Sequence, residues 1–177
     1  MMVSSRKPIV LGICAQTSNS GKTTLICRLI PALAQLGIRV SVIKHTHHQI
    51  QIDHPGKDSF QIRQAGAAQT LVGDAKNWAL ISQTHINQAD ADELDYLLQQ
   101  LDTSMCDLVL LEGFKQAPVA KIEVHRGALH QDMLASQDSS IIAVTSDSAR
   151  QAPCPLLDLN DIDAIANFIF QYLRSSK

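Results

Sequence analysis

Continuous apolar runs alternate along the chain with stretches whose apolar residues recur every three or four positions, the pattern of parallel strands buried on both faces and of helices packed on them. The run 9–15 is followed by 23–36, which sets Leu25, Leu29, Leu33 and Leu36 on one stripe and ends at Gly37, a left-handed stop. Pro31 predicts a kink in that helix. Residues 38–43 read as a second strand, after which 49–68 turn polar; Asp53, Pro55 and Gly56 break structure before a short helix that Asp58 or Ser59 caps and that runs towards Gly66. The runs 69–72 and 78–81, separated by Gly73-Asp74-Ala75-Lys76-Asn77, predict a hairpin that gives the sheet antiparallel members. Residues 90–101 carry Leu94, Leu97, Leu98 and Leu101 at helical spacing behind acidic residues suited to a helix N-terminus. Strands follow at 107–111, 120–124, 139–144 and 156–159. The stretch 161–173 closes the chain as an amphipathic helix with Ile162, Ile165, Ala166, Ile169 and Leu173 inward.

A chain of 177 residues with 45% apolar and 18% charged residues is expected to form one domain, 1–177, with an ordinary core. A net charge of -2 provides no broad footprint for nucleic acid or an anionic membrane. Cys14, Cys27, Cys106 and Cys154 are scattered without a CxxC pair, which favours free thiols in a reducing compartment over a disulfide frame or structural zinc. The leader MMVSSRKP has no apolar core, and no segment approaches the ~20 apolar residues of a membrane span, so a cytoplasmic location is expected.

Between the first strand and the first helix stands TSNSGKTT: Thr17, Ser18, Asn19, Ser20, Gly21, Lys22, Thr23 and Thr24. A Walker A loop needs Gly, four free positions and Gly-Lys-Ser/Thr, because backbone N–H groups wrap phosphate oxygens while the lysine reaches the outer phosphates. Gly21, Lys22 and Thr23 fill the second half; Gln16 stands where the first glycine belongs, and Asn19 tolerates positive φ in the tight part of the loop. SGKTT could also merely cap a helix, but strand, lysine and tandem threonines together favour a phosphate loop. The expected architecture is therefore P-loop NTPase-like, three layers α/β/α around a mainly parallel sheet with added antiparallel strands.

The strand 107–111 runs into Glu112-Gly113-Phe114-Lys115, and an acid at a strand's carboxyl end can hold magnesium, directly or through water. Glu112 is otherwise an edge glutamate before a turn; behind a phosphate loop it becomes the metal partner of Thr23. The guanine signature Asn/Thr-Lys-x-Asp is absent, and Thr145-Ser146-Asp147 keeps only its aspartate, which would accept the N1 and N2 protons of guanine or serve as a turn residue. Lys44, His45, His47 and His48 end the second strand at the edge where α/β sheets gather ligands, and donate to a phosphate-rich ligand or bind a metal. Asp53, Lys57 and Asp58 follow on a loop expected to face the nucleotide.

KHTHH at Lys44 to His48, DHPGKDS at Asp53 to Ser59, RQAGA at Arg63 to Ala67 and LLEGFK at Leu110 to Lys115, in this order behind SGKTT, resemble the molybdopterin-guanine dinucleotide biosynthesis adapter protein (MobB) family over most of the chain. The resemblance implies a GTP-binding protein using Mg2+, with at most weak GTPase activity. It further implies that it works beside the guanylyltransferase that attaches GMP to the molybdopterin cofactor, as a homodimer with an elongated shared sheet. Lys44, His45, His47, His48, Asp53, Lys57, Asp58 and Lys115 then form a surface for the pterin cofactor or the guanylyltransferase. Two rivals of other classes are a small-molecule kinase, for which no arginine-rich lid is found, and a metal-delivery GTPase with the cluster from His45 to His48 as its cargo site. No arginine finger and no residue that would orient an attacking water is evident.

Overall fold

In a computed structural model the first strand, β1 (Ile9–Cys14), feeds a loop and then helix α1 (Lys22–Gln35). The residues described are 7–46, 52–82, 90–127, 132–148 and 151–176, with only the backbone described at 90–92. Helix α1 runs unbroken through Pro31 and buries Leu25, Ile26, Leu29 and Leu33. It stops as its sequence requires: Gly37 takes φ 77°, its N–H donates to Ala34 O, and the N–H of Ile38 donates to Leu33 O. This pair of bonds satisfies the last carbonyls of the helix and holds Ile38 in the turn. The next strand, β2 (Val40–Lys44), therefore starts later than the apolar run suggests.

The chain divides into two compact units, Met1–His45 with Ala89–Lys177, and Thr46–Gln88. The smaller unit holds α2 (Asp58–Gln64) and an antiparallel pair, β3 (Gln69–Gly73) and β4 (Trp78–Ser82). The hairpin arises where expected, because Asp74 accepts from the N–H groups of Lys76 and Asn77 at 2.7 Å each and fixes the turn. Its strands form a sheet of their own rather than extending the parallel one. They leave Leu71, Val72, Trp78 and Leu80 exposed.

The larger unit continues with α3 (Asp90–Gln99), β5 (Leu108–Glu112), β6 (Lys121–His125), β7 (Ile141–Ser146), β8 (Leu156–Asp158) and α4 (Ile162–Ser175). Its six strands are all parallel, in the order β2-β5-β1-β6-β7-β8. The period of two in the central strands sorts their side chains between two faces. Leu11 and Ile13 of β1 and Leu108 and Leu110 of β5 join Leu29 and Leu33 of α1 and Ile165 and Ile169 of α4 in one core. Val109 and Leu111 face the other way, into a second core with Ile43, Leu94 of α3 and Phe114. These are the three layers, α/β/α, that the apolar pattern predicts.

Candidate functional site: a phosphate loop at the carboxyl edge of the sheet

All six strands of a parallel sheet point one way, so the residues that follow them collect along one edge. The register fixes which residues meet there. Ile13 of β1 lies opposite Glu112 of β5, and Lys44 of β2 lies opposite Glu112 from the other side. Glu112 ends the middle strand of this trio, immediately beside the strand that carries TSNSGKTT.

The loop closes on itself. The Thr17 carbonyl accepts from Ser20 Oγ at 2.7 Å and from Lys22 Nζ at 3.1 Å. Asn19 takes φ 60° and Gly21 φ 93°. Among the described residues Asn19 is the one non-glycine with positive φ, whereas Gln16 takes none, so the missing first glycine imposes no strain here. Gly21 precedes α1 without any side-chain cap, which leaves the first N–H groups of the helix directed out of its positive end. Ser18 and Thr24 are exposed.

Thr23 Oγ1 donates to Glu112 Oε1 at 2.5 Å. Lys44 Nζ lies 3.4 Å from Thr23 Oγ1 and 3.4 Å from Glu112 Oε1, so the Glu112 carboxylate is already paired with a cation and the hydroxyl accepts from it. Two hard oxygens, one of them a largely buried carboxylate, suit magnesium. Lys115 is exposed, with Nζ 3.4 Å from Gln16 Oε1. Glu112 continues into Gly113 at φ 104°, where a Cβ would stand 2.7 Å from the His45 carbonyl. The backbones after β2 and β5 can approach this closely only because residue 113 is glycine.

His45 is held by its own neighbours, with Nε2 3.2 Å from Glu93 Oε1 and its ring 5.0 Å from that of Phe114. His47 and His48 lie outside the described residues. Among the described residues no group of three or more His, Cys, Asp and Glu is arranged to hold a metal ion. Asp53, Lys57 and Asp58 belong to the smaller unit. Lys57 and Asp58 are exposed at the start of α2, whereas Asp53 is buried and paired with Arg63 at 2.5 Å.

Asp147 follows β7, and both of its oxygens are engaged. Oδ1 accepts from the Gly127 N–H at 2.9 Å, and Oδ2 accepts from Arg126 Nη1 at 3.0 Å. The Gly127 N–H and the Arg126 guanidinium together hold its carboxyl below the usual carboxylate range. Arg126 is the residue of this edge that sequence reasoning missed. Its Nε donates to the Ser20 carbonyl at 3.3 Å, which brings a guanidinium onto the phosphate loop. The one available signal was its place directly behind β6, at the same edge as Glu112.

The model of molybdopterin guanine dinucleotide synthesis protein B matches residues 10–147, from β1 to Asp147. The chain belongs to the MobB family. It is 45% identical over 163 residues to the molybdopterin-guanine dinucleotide biosynthesis adapter protein of Escherichia coli, covering 90% of this chain and 91% of the relative. The Haemophilus influenzae protein of the same description is 43% identical over 165 residues, covering 93% and 89%. A crystal structure of molybdopterin-guanine biosynthesis protein B superposes with a TM-score of 0.73 at 30% identity, over 94% of this chain and 99% of that one. Among the described residues no helix is long and apolar enough to cross a membrane.

Proposed function

We propose that this member of the MobB family is a GTP-binding adapter with at most weak GTPase activity, serving the guanylyltransferase that forms molybdopterin guanine dinucleotide. The observation that carries the nucleotide half is the contact of Thr23, at the start of α1, with Glu112, which ends β5, the parallel neighbour of the strand that delivers the closed SGKTT loop. The adapter half rests on relatives that bear that description.

Lys22 neutralises the outer phosphates, and the N–H groups of the loop and of the first turn of α1 donate to phosphate oxygens. Thr23 and Glu112 would hold Mg2+, which when bound offsets phosphate charge. Lys44, next to the same oxygens, balances the Glu112 carboxylate. Slow hydrolysis rests on the family likeness, which implies at most weak GTPase activity. The choice of guanine over adenine rests on the family likeness; Asp147, which the sequence offers for the guanine N1 and N2 protons, has one oxygen engaged by Arg126 and the other by the Gly127 N–H.

Contacts to the pterin cofactor or to the guanylyltransferase are proposed for Lys44 and Lys115, exposed on the larger unit, and separately for Lys57 and Asp58, exposed on the smaller one, while His47 and His48 lie outside the described residues. On each unit one further sequence-predicted residue is held in a pair, His45 with Glu93 on the larger and Asp53 with Arg63 on the smaller. A homodimer is proposed on the same likeness. The apolar side chains left exposed on the β3-β4 hairpin are a face that such a dimer would cover.

Calorimetric titration of GTP with Mg2+ into the wild type and Lys22→Ala tests the nucleotide half. At least a tenfold loss of affinity, about 1.4 kcal/mol, is expected. Equal affinity in the two proteins removes the phosphate-loop assignment.

A further inference from the structure

Arg126 has three features that a surface arginine does not combine. Its Nε is committed to the carbonyl of Ser20, inside the phosphate loop. Its Nη1 is committed to Asp147, which the Gly127 N–H anchors from the other side. Its Nη2 lies beside Gly21, 2.9 Å from the point where a Cβ on that residue would stand.

A guanidinium has five N–H donors in a rigid plane, and these contacts use two of them. Both hydrogens of Nη2 remain, next to the glycine that precedes Lys22, on a side chain that is 38% exposed. A glycine at 21 serves this approach as well as its own φ of 93°, since any side chain there would strike the guanidinium. The arginine is thus held by two anchors with its free edge at the loop.

We propose that Arg126 is a phosphate-contacting residue of the nucleotide site, donating from Nη2 to an anionic oxygen of the bound nucleotide's phosphate chain, and that Asp147 is the positioning residue that aims it. The proposal rests on the phosphate-loop reading above. It supplies the second cation that the sequence did not reveal, delivered from the strand on the opposite side of β1 to Glu112. A planar fork fixed at two of its nitrogens loses little freedom when it binds phosphate, which is the advantage arginine has over lysine in such a position. It also gives Asp147 a task that does not depend on the base.

The test is titration of the full chain with GTP, ATP and tripolyphosphate, each with Mg2+, for the wild type, Lys22→Ala, Arg126→Ala, Arg126→Lys and Asp147→Asn. Arg126→Ala is expected to weaken all three ligands by a similar factor of about ten or more, with Arg126→Lys recovering part of it. Because the lost contact is between charges, the deficit should shrink in 1 M salt, whereas a deficit from a loosened loop persists. Asp147→Asn should weaken all three ligands in the same proportion, with no further loss in the double variant beyond that of Arg126→Ala.

Unchanged affinity for tripolyphosphate in Arg126→Ala, or a salt-insensitive deficit, overturns the phosphate contact while leaving the Lys22 result standing. A fall in the GTP-to-ATP ratio of Asp147→Asn with tripolyphosphate affinity intact overturns the positioning role and assigns Asp147 to the base. Failure of the wild type to bind any of the three ligands overturns the phosphate-loop reading together with the proposal built on it.

Discussion

Thr23 and Glu112 stand 89 positions apart in the sequence, and their side chains meet at 2.5 Å because β1 and β5 are parallel neighbours in register. The contact follows from the fold alone: a strand that delivers a phosphate loop and a strand that ends in an acid have been placed side by side. Lys44 completes the arrangement from β2.

Glu112→Gln should leave the fold intact and remove most of the dependence of GTP affinity on magnesium. The amide keeps the size of the side chain and can still accept from Thr23, but it no longer offers a negative oxygen to the cation. A charged hydrogen-bonding partner is worth about 1.5–3 kcal/mol, so the loss in Mg2+ should be roughly tenfold to a hundredfold. Titrations with Mg2+ and with EDTA check this; a variant with undiminished magnesium dependence would remove Glu112 from the metal site.

Gly113→Ala should destabilise the protein, although the substitution adds a single methyl group at an exposed position. The residue sits at φ 104°, and the new Cβ would lie 2.7 Å from the His45 carbonyl, which is backbone and yields only if β2 or β5 shifts at its end. A cost above about 1 kcal/mol is expected in urea unfolding. A melting curve that coincides with the wild type would show that the two strand ends are not packed as described.

Much of this was legible in the chain, because apolar runs and 3.6-residue stripes report burial directly. The stripe of α1, the stop at Gly37 and the positive φ of Asn19 were all readable from local chemistry. What escaped depends on contacts across the chain. Lys121-Ile122-Glu123-Val124-His125 alternates as a strand with one wet face would, yet all five residues are buried. The segment after β6 folds back over them: Glu123 accepts from the N–H groups of Leu134 and Ala135 at 2.9 Å each, and Lys121 Nζ donates to Ser140 Oγ at 2.6 Å. Arg126 was hidden for the same reason, since nothing in its own neighbourhood announces Ser20 or Asp147. Asp53, read as part of a loop facing the nucleotide, is buried and paired with an arginine ten positions on.

The cysteines should separate sharply in reactivity. Burial, reinforced by the nearby Glu123 carboxylate, pushes the Cys14 thiol up to about 12, so almost no thiolate exists at pH 8. Cys27 is exposed on α1. Timed alkylation with iodoacetamide at pH 8, read by mass spectrometry, should modify Cys27 first and Cys14 only after unfolding. Early modification of Cys14 in the native protein would contradict its burial against β6.

The Lys121-Asp138 pair provides the last prediction, a pH dependence with a definite sign. Lys121 is almost completely buried, and its Nζ lies 3.0 Å from Asp138 Oδ2. The Ser140 hydroxyl first, then the Lys121 ammonium, hold the Asp138 carboxyl below the usual carboxylate range, against the opposing effect of burial. A carboxyl depressed in the folded state binds fewer protons there than in the unfolded chain, so its contribution to stability is fully present above the ordinary aspartate value of about 3.9 and is lost as pH falls through the folded value. Asp138→Asn removes the charge and keeps the shape. The variant should be less stable than the wild type at pH 7 by about 1 kcal/mol, near the low end for a charged hydrogen bond because Asp138 is more than a third exposed. Urea midpoints measured from pH 7 down to pH 2 should show that gap constant above pH ~5 and closing below pH ~4, as the wild-type carboxyl protonates. A gap that persists unchanged at the acid end would mean that the difference does not come from the Asp138 charge, and no gap at pH 7 would mean that Ser140 alone satisfies Lys121.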